Sequence, residues 1–279
     1  MPYQHYGEIG DVWKHLPLCE IIKELSPKVY IESNSAYPYY RLRSSVRRKY
    51  GVYYFLENAA RNPVLSQTKY YEAASKNILE KIYLGSPGLA LTLLGEDVDY
   101  TFCDIDGEAL KEIKNYSDSI ITSAQITLYN GDSIEYLLEH MANLPSQSLL
   151  FLDPYLVLEK NQTGHSFFDL FQAALKHKIP VALWYGYNTR CEQKLLHETF
   201  SDTFGNGSGV ALAEINLANI GEDKILMNPG VPGCGLLMGN FEPRIITIVN
   251  KLCIQIKNLY ANSVYNNHSG KLQITMRYF

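Results

Sequence analysis

The sequence predicts an α/β fold built on a doubly wound, mainly parallel sheet. Two observations carry this. Short β-rich apolar runs alternate with helical patterns over most of the chain, and each run ends in polar or Gly/Pro punctuation. The 279 residues are enough for one such domain with an inserted element, and 46% hydrophobic against 19% charged residues is an ordinary globular balance. A single domain over residues 1–279 is therefore expected.

An amphipathic helix at about residues 12–25 comes first, followed by the apolar string Val29-Tyr30-Ile31, which reads as a buried strand. The connection after it, roughly residues 37–97, is longer than a loop, which predicts an inserted and mostly helical subdomain at about residues 41–84. Within it, residues 69–84 carry a helical pattern, and Gly85-Ser86-Pro87-Gly88 turns the chain into another short helix. Strands follow at Tyr100-Thr101-Phe102-Cys103, Ile126-Thr127-Leu128-Tyr129, Leu149-Leu150-Phe151-Leu152 and Val181-Ala182-Leu183-Trp184. They lead toward helical stretches at residues 107–114, 133–141 and 166–176. Residues 210–217 and 235–238 are expected as antiparallel strands near one edge. From Asn262 the chain is polar, with residues 272–276 as a candidate last edge strand.

Composition narrows the partners. A net charge of -4 means that a nucleic acid would be held by a local basic patch. The five cysteines are scattered, with no metal-ligand spacing, so no metal site is expected. No basic-then-apolar leader opens the chain and no apolar run is long enough to cross a bilayer, so the expectation is a cytoplasmic protein without a membrane partner.

In doubly wound sheets ligands bind beyond the carboxyl ends of the strands, near the switch in strand order. The residues there are Glu32-Ser33-Asn34, Asp104-Ile105-Asp106, Asn130-Gly131-Asp132 and Asp153-Pro154-Tyr155. Asp104 suits ribose hydroxyls, because a carboxylate offers two acceptor oxygens, while Asp106 can cap the next helix. Asp132, followed by Ser133, either faces an adenine edge or caps the helix that follows it.

In Asp153-Pro154-Tyr155 a buried strand delivers a carboxylate, then a proline of fixed φ, then an aromatic. A carboxylate that accepts the hydrogens of a base's exocyclic amine favours a pyramidal, nucleophilic nitrogen, and an aromatic face can hold a flipped base. The bland alternative is an Asp-Pro turn. At the N-terminus, Lys14 and His15 read either as functional or as surface residues of the first helix, and Tyr3 as a tail or a substrate-contacting arm. Tyr37, Tyr39, Tyr40, Tyr50, Tyr53 and Tyr54 interleave with Arg41, Arg43, Arg47, Arg48 and Lys49. Guanidinium forks with aromatic faces suit RNA or a single strand, and the alternative is tyrosines that pack the insertion onto the domain.

Five strings in order carry a resemblance over about residues 5–243: Gly-x-x-Gly-Asp-Val-x-Lys-His at 7–15, Tyr-Leu-Gly-Ser-Pro at 83–87, Leu-Asp-Pro-Tyr at 152–155, Ala-Leu-Trp-Tyr at 182–185 and Gly-Cys-Gly-Leu-Leu-Met-x-Asn at 233–240. They resemble the RlmJ family, adenine-N6 methyltransferases of large-subunit ribosomal RNA once connected with use of external DNA. The resemblance implies a Rossmann-like methyltransferase sheet with a small helical insertion, S-adenosylmethionine as methyl donor, and ribosomal RNA as partner.

The resemblance further implies His15, Asn34, Ser86, Asp104, Asp132 and Ser133 around the cofactor, and Asp153, Pro154 and Tyr155 at the target amine. It also implies Tyr3 at the substrate, and the basic residues Lys14, Arg41, Arg43, Arg47 and Arg48 are expected to face substrate with it. Two departures stand out. The family's Gly-rich turn after the first strand is here Asn34-Ser35-Ala36-Tyr37-Pro38-Tyr39, without glycine, and its Asp-Pro-Pro-Tyr is shortened to Asp153-Pro154-Tyr155. They keep open a second reading, a non-catalytic nucleic-acid-binding relative, and a third, an enzyme with a small-molecule acceptor.

Overall fold

Ser148–Leu152 (β6) is buried along its whole length and apolar from Leu149 onward, as suits a central strand covered on both faces. The computed structural model that places it describes residues 5–121, 123–217, 232–265 and 268–279. On one side of β6 lie Val29–Glu32 (β1), Asp99–Asp104 (β4) and Ile126–Asn130 (β5), and on the other Val181–Tyr187 (β7), all parallel to it. Gly233–Gly239 (β9) then runs antiparallel between β7 and Ala211–Leu217 (β8), and Leu272–Tyr278 (β12) closes that edge antiparallel to β8. The order is β12-β8-β9-β7-β6-β1-β4-β5, with the reversal of chain order at β1. This is the doubly wound, mainly parallel, Rossmann-like sheet that the sequence predicts. Of the two late runs expected to be antiparallel, only β9 opposes the parallel strands, because β8 pairs antiparallel to β9.

Helices cover both faces. One core gathers residues of Ile9–Leu25 (α1), Ser86–Leu94 (α5), Gly107–Ile120 (α6) and Pro243–Leu259 (α10), and the other residues of Ser133–His140 (α7), Phe167–Lys176 (α8) and Arg190–Thr203 (α9). The sequence pattern did not assign α9. The first helix differs from expectation: Val12, Trp13, His15, Leu16, Leu18, Cys19, Ile21 and Ile22 are all buried, so α1 is not a half-exposed amphipathic helix. Parts of the β1–β4 connection pack over the face that would otherwise meet water.

That connection holds Tyr39–Arg41 (β2), Val46–Arg48 (α2), a π-helical turn at Lys49–Tyr53, Tyr54–Ala59 (α3), Lys69–Leu79 (α4) and Ile82–Leu84 (β3). The helix expected over residues 69–84 ends at Leu79, because Lys81 takes a left-handed φ of +57° and Ile82–Leu84 then pairs antiparallel with Tyr39–Arg41. Near the C-terminus Val264–Tyr265 (β10) and His268–Ser269 (β11) form a small antiparallel pair. Among the described residues no helix is long and apolar enough to cross a membrane, and no cluster of His, Cys, Asp and Glu has the arrangement of a metal site.

Candidate active site

The parallel register builds the site. Glu32, the last residue of β1, stands opposite Phe102 of β4 and Phe151 of β6. Asp104 and Asp153 therefore each lie two residues beyond it, on either side of the turn after β1. Ser33 N–H donates to the Phe151 carbonyl (3.1 Å) and Ser35 N–H to the Cys103 carbonyl (3.0 Å), which ties that turn between the two neighbours.

No glycine is needed in the turn because Ala36 itself adopts the left-handed conformation, φ +53°. Its N–H donates to the Asp104 carboxylate at 2.8 Å, and the other Asp104 oxygen accepts the Asp106 N–H at 2.8 Å. Just beyond the turn, the chain packs backbone to backbone on the start of α5. A Cβ at Gly85 would run into the Tyr37 carbonyl oxygen, and one at Gly88 into that of Pro38. Gly85 N–H also donates to the Pro38 carbonyl at 2.9 Å.

A cavity of about 290 Å³ opens between the turn, α1 and the start of α5, and Lys14, His15, Asn34, Ser86, Asp104 and Asp153 all line it. An adjoining cavity of about 520 Å³ is lined by Asp132, Ser133, Asn161 and Phe167, and the two share Asn34, Ile105 and Tyr155. All six residues expected around the cofactor thus line one of two joined spaces. In the larger one Asp132 caps α7 by accepting the Ile134 N–H (2.9 Å) and takes a second bond from Asn161 Nδ2 (2.7 Å).

Charge is concentrated at Asp153. Lys14 Nζ sits 2.7 Å from one of its oxygens and 3.4 Å from Asp11. Burial pushes the Asp153 carboxyl up to about 6 against the pull of Lys14. Burial also works against the Lys14 ammonium, but Asp153 and Asp11 more than offset this and keep it charged. Glu32, fully buried, accepts from the Tyr30 hydroxyl (3.1 Å) and from Ser86; burial holds it well above the ordinary carboxylate range. His15 is held well below its usual value by burial and by the neighbouring Lys14 charge, so the ring is neutral.

The substrate-facing set is divided. Pro154 is buried and Tyr155 stands at the rim, 70% exposed. Arg41 and Arg43 are exposed and Arg47 is half-buried, 3.9 Å from Glu8. Arg48 does not present its guanidinium outward: it donates to the Tyr6 carbonyl (2.9 Å) and the Arg43 carbonyl (3.1 Å) and lies 3.9 Å over the Tyr6 ring. Tyr50 and Tyr54 pack on Tyr260, with the Tyr54 hydroxyl on the Leu259 carbonyl at 3.2 Å. These tyrosines follow the packing alternative. Tyr3 lies outside the described residues.

Sequence reasoning passed over Ile105, 83% exposed between the two cavities. A large aliphatic residue left bare in an Asp-x-Asp turn was the signal available. Tyr6, which gave no signal, stacks at 4.6 Å on Tyr40 of the Tyr/Arg segment at the rim of the smaller cavity.

No family model and no curated protein matches this sequence. A solved structure does. Protein LPL1258 from Legionella pneumophila str. Philadelphia 1, of family-model DUF519, is similar over 98% of this chain and 98% of its own, with a TM-score of 0.73 and 19% identity. The two share a fold. An S-adenosylmethionine-dependent methyltransferase from Agrobacterium tumefaciens is similar at a TM-score of 0.41, with 11% identity over 86% of this chain and 66% of its own. An rRNA methylase from Streptococcus thermophilus is similar at 0.36, with 10% identity over 81% of this chain and 97% of its own.

Proposed function

We propose that this chain is an S-adenosylmethionine-dependent methyltransferase of the RlmJ family that methylates adenine N6 in large-subunit ribosomal RNA. The observation that carries the reading is the pair of strand-end carboxylates, Asp104 and Asp153, flanking the β1 turn and lining one cavity. The residues fit the cofactor on three counts. Ala36 supplies the left-handed turn, the buried Nε2 of His15 has no protein partner among the described residues, and Ile105 offers a bare apolar face between the two cavities.

Asp104, a two-oxygen acceptor at the cavity wall, would hold the ribose hydroxyls, and Asn34, His15 and Ser86 the amino-acid end. Asp132 and Ser133 would border the adenine. When bound, the cofactor supplies an electrophilic methyl group. Asp153 would accept hydrogens of the target amine and, with its proton affinity raised by burial, suits the proton that the nitrogen sheds. Lys14 orients that carboxylate. Tyr155 at the rim would flank the base, and Arg41, Arg43 and Arg47 on the insertion at about 41–84 would grip phosphates within one methyltransferase domain in the cytoplasm.

A second reading, a non-catalytic nucleic-acid-binding relative connected with external DNA, is favoured by the Lys14 ammonium seated on Asp153. Calorimetry with S-adenosylhomocysteine separates the two. The enzyme reading expects binding that Asp104→Ala weakens, and methyl transfer to undermodified ribosomal RNA that Asp153→Ala abolishes. No binding at millimolar ligand overturns it.

A further inference from the structure

The His15 ring lines the smaller cavity and is 2% exposed. Its Nδ1 lies 2.8 Å from the Tyr83 hydroxyl, which in turn lies 3.4 Å from the Tyr70 hydroxyl. Tyr83 and Tyr70 are 3% and 1% exposed, so water does not complete their bonding. Two directions of the chain are open. If Nδ1 carries the hydrogen, it donates to Tyr83, Tyr83 donates to Tyr70, and the Tyr70 O–H is left without an acceptor among the described residues while Nε2 is a bare lone pair. In the other direction Tyr70 donates to Tyr83, Tyr83 donates to Nδ1, and the hydrogen sits on Nε2. Only Nε2 is then unmatched, and it is the one atom of the three residues with no protein partner among the described residues. The second direction leaves one buried group unmatched instead of two, and an unmade buried hydrogen bond is the costly outcome.

We infer that Tyr83, backed by Tyr70, is a positioning residue that fixes His15 in the Nε2–H tautomer, so that the ring presents a hydrogen-bond donor to an acceptor oxygen of the bound ligand. This rests on the reading of the cavity as the cofactor site, where the carboxylate of the amino-acid end is the acceptor. The neutral ring makes the choice of nitrogen decisive, because an imidazolium would donate from both.

Nitrogen-15 NMR of the ligand-free protein reads the tautomer directly. The expected spectrum of the native chain has a protonated Nε2 and a bare Nδ1, and Tyr83→Phe converts it to a mixture. A native chain with protonated Nδ1, or a Tyr83→Phe spectrum unchanged from it, overturns the inference. S-adenosylhomocysteine binding gives the second readout. Tyr83→Phe is expected to weaken it about tenfold, in line with the loss of an orienting partner from a ligating histidine. His15→Gln, whose amide nitrogen reaches the Nε2 position, retains binding within about threefold, and adding Tyr83→Phe to it costs nothing more. An equal loss from Tyr83→Phe in both backgrounds refutes the positioning role. If the native chain binds no S-adenosylhomocysteine, the cofactor reading fails, while the ring-nitrogen spectrum still decides the tautomer.

Discussion

Replacing Lys14 by methionine removes the ammonium from Asp153 and keeps most of the side-chain volume. At 2.7 Å and an effective dielectric of about 20, the attraction between the two charges is ~6 kcal/mol. If only a quarter of it is lost, ~1.5 kcal/mol, the Asp153 carboxyl rises by about one further pKa unit, from about 6 to about 7. The sign follows from burial. A carboxyl held higher in the fold than in the unfolded chain binds its proton preferentially in the fold, so its contribution to stability falls as pH rises from about 4 to the folded value. In Lys14→Met that window stretches upward to about 7, and above it an unpaired buried carboxylate costs about 3–5 kcal/mol. Two measurements test this: carboxyl carbon-13 titration of Asp153, and the acid limb of kcat/KM for methyl transfer. Both are expected to move from near 6 to 7 or above. A variant in which both stay near 6 refutes the claim that Lys14 tunes this carboxylate.

Other outcomes follow from the same structure. Ala36→Gly relieves a left-handed alanine and is expected to add about 1 kcal/mol of stability, read as a higher urea midpoint, whereas Ala36→Val lowers it. Glu214 is fully buried and accepts from Tyr185 (2.8 Å), Tyr187 (3.0 Å), Gln193 (2.6 Å) and His197 (2.8 Å). Although burial works against its charge, the bond from His197 and those from Tyr185 and Gln193 hold it below its ordinary value. Its stabilisation is thus present above the unfolded carboxyl value and lost as pH falls through the folded one. Glu214→Gln should cost about 3 kcal/mol at pH 7 and flatten the acid side of the stability profile. Removing the exposed Arg41 and Arg43 together should weaken RNA binding and reduce the salt slope by about 2, which filter binding at several salt concentrations reads.

Much of this architecture was legible because its signals are local. The apolar string Leu149-Leu150-Phe151-Leu152 needs no context to be read as a buried strand, and the four strand-end turns located the cavities. What failed needed contact across the chain. The burial of His15 depends on the long β1–β4 connection that packs over α1. The strand at Ile82–Leu84 depends on Tyr39–Arg41 as its partner and on Lys81 to stop the helix before it. Arg48 and Tyr50 have the residue types of a nucleic-acid surface. One is spent on backbone carbonyls and the other is packed on Tyr260. Type and spacing cannot separate those uses.

Gly85 and Gly88 hold the turn after β1 in place from outside it. Each lets the start of α5 rest directly on a carbonyl of the chain just beyond β1, that of Tyr37 or Pro38, and any side chain there would wedge the two apart. A substitution at Gly85 or Gly88 would therefore disturb the cavity as surely as one in the turn itself, although neither residue belongs to that turn.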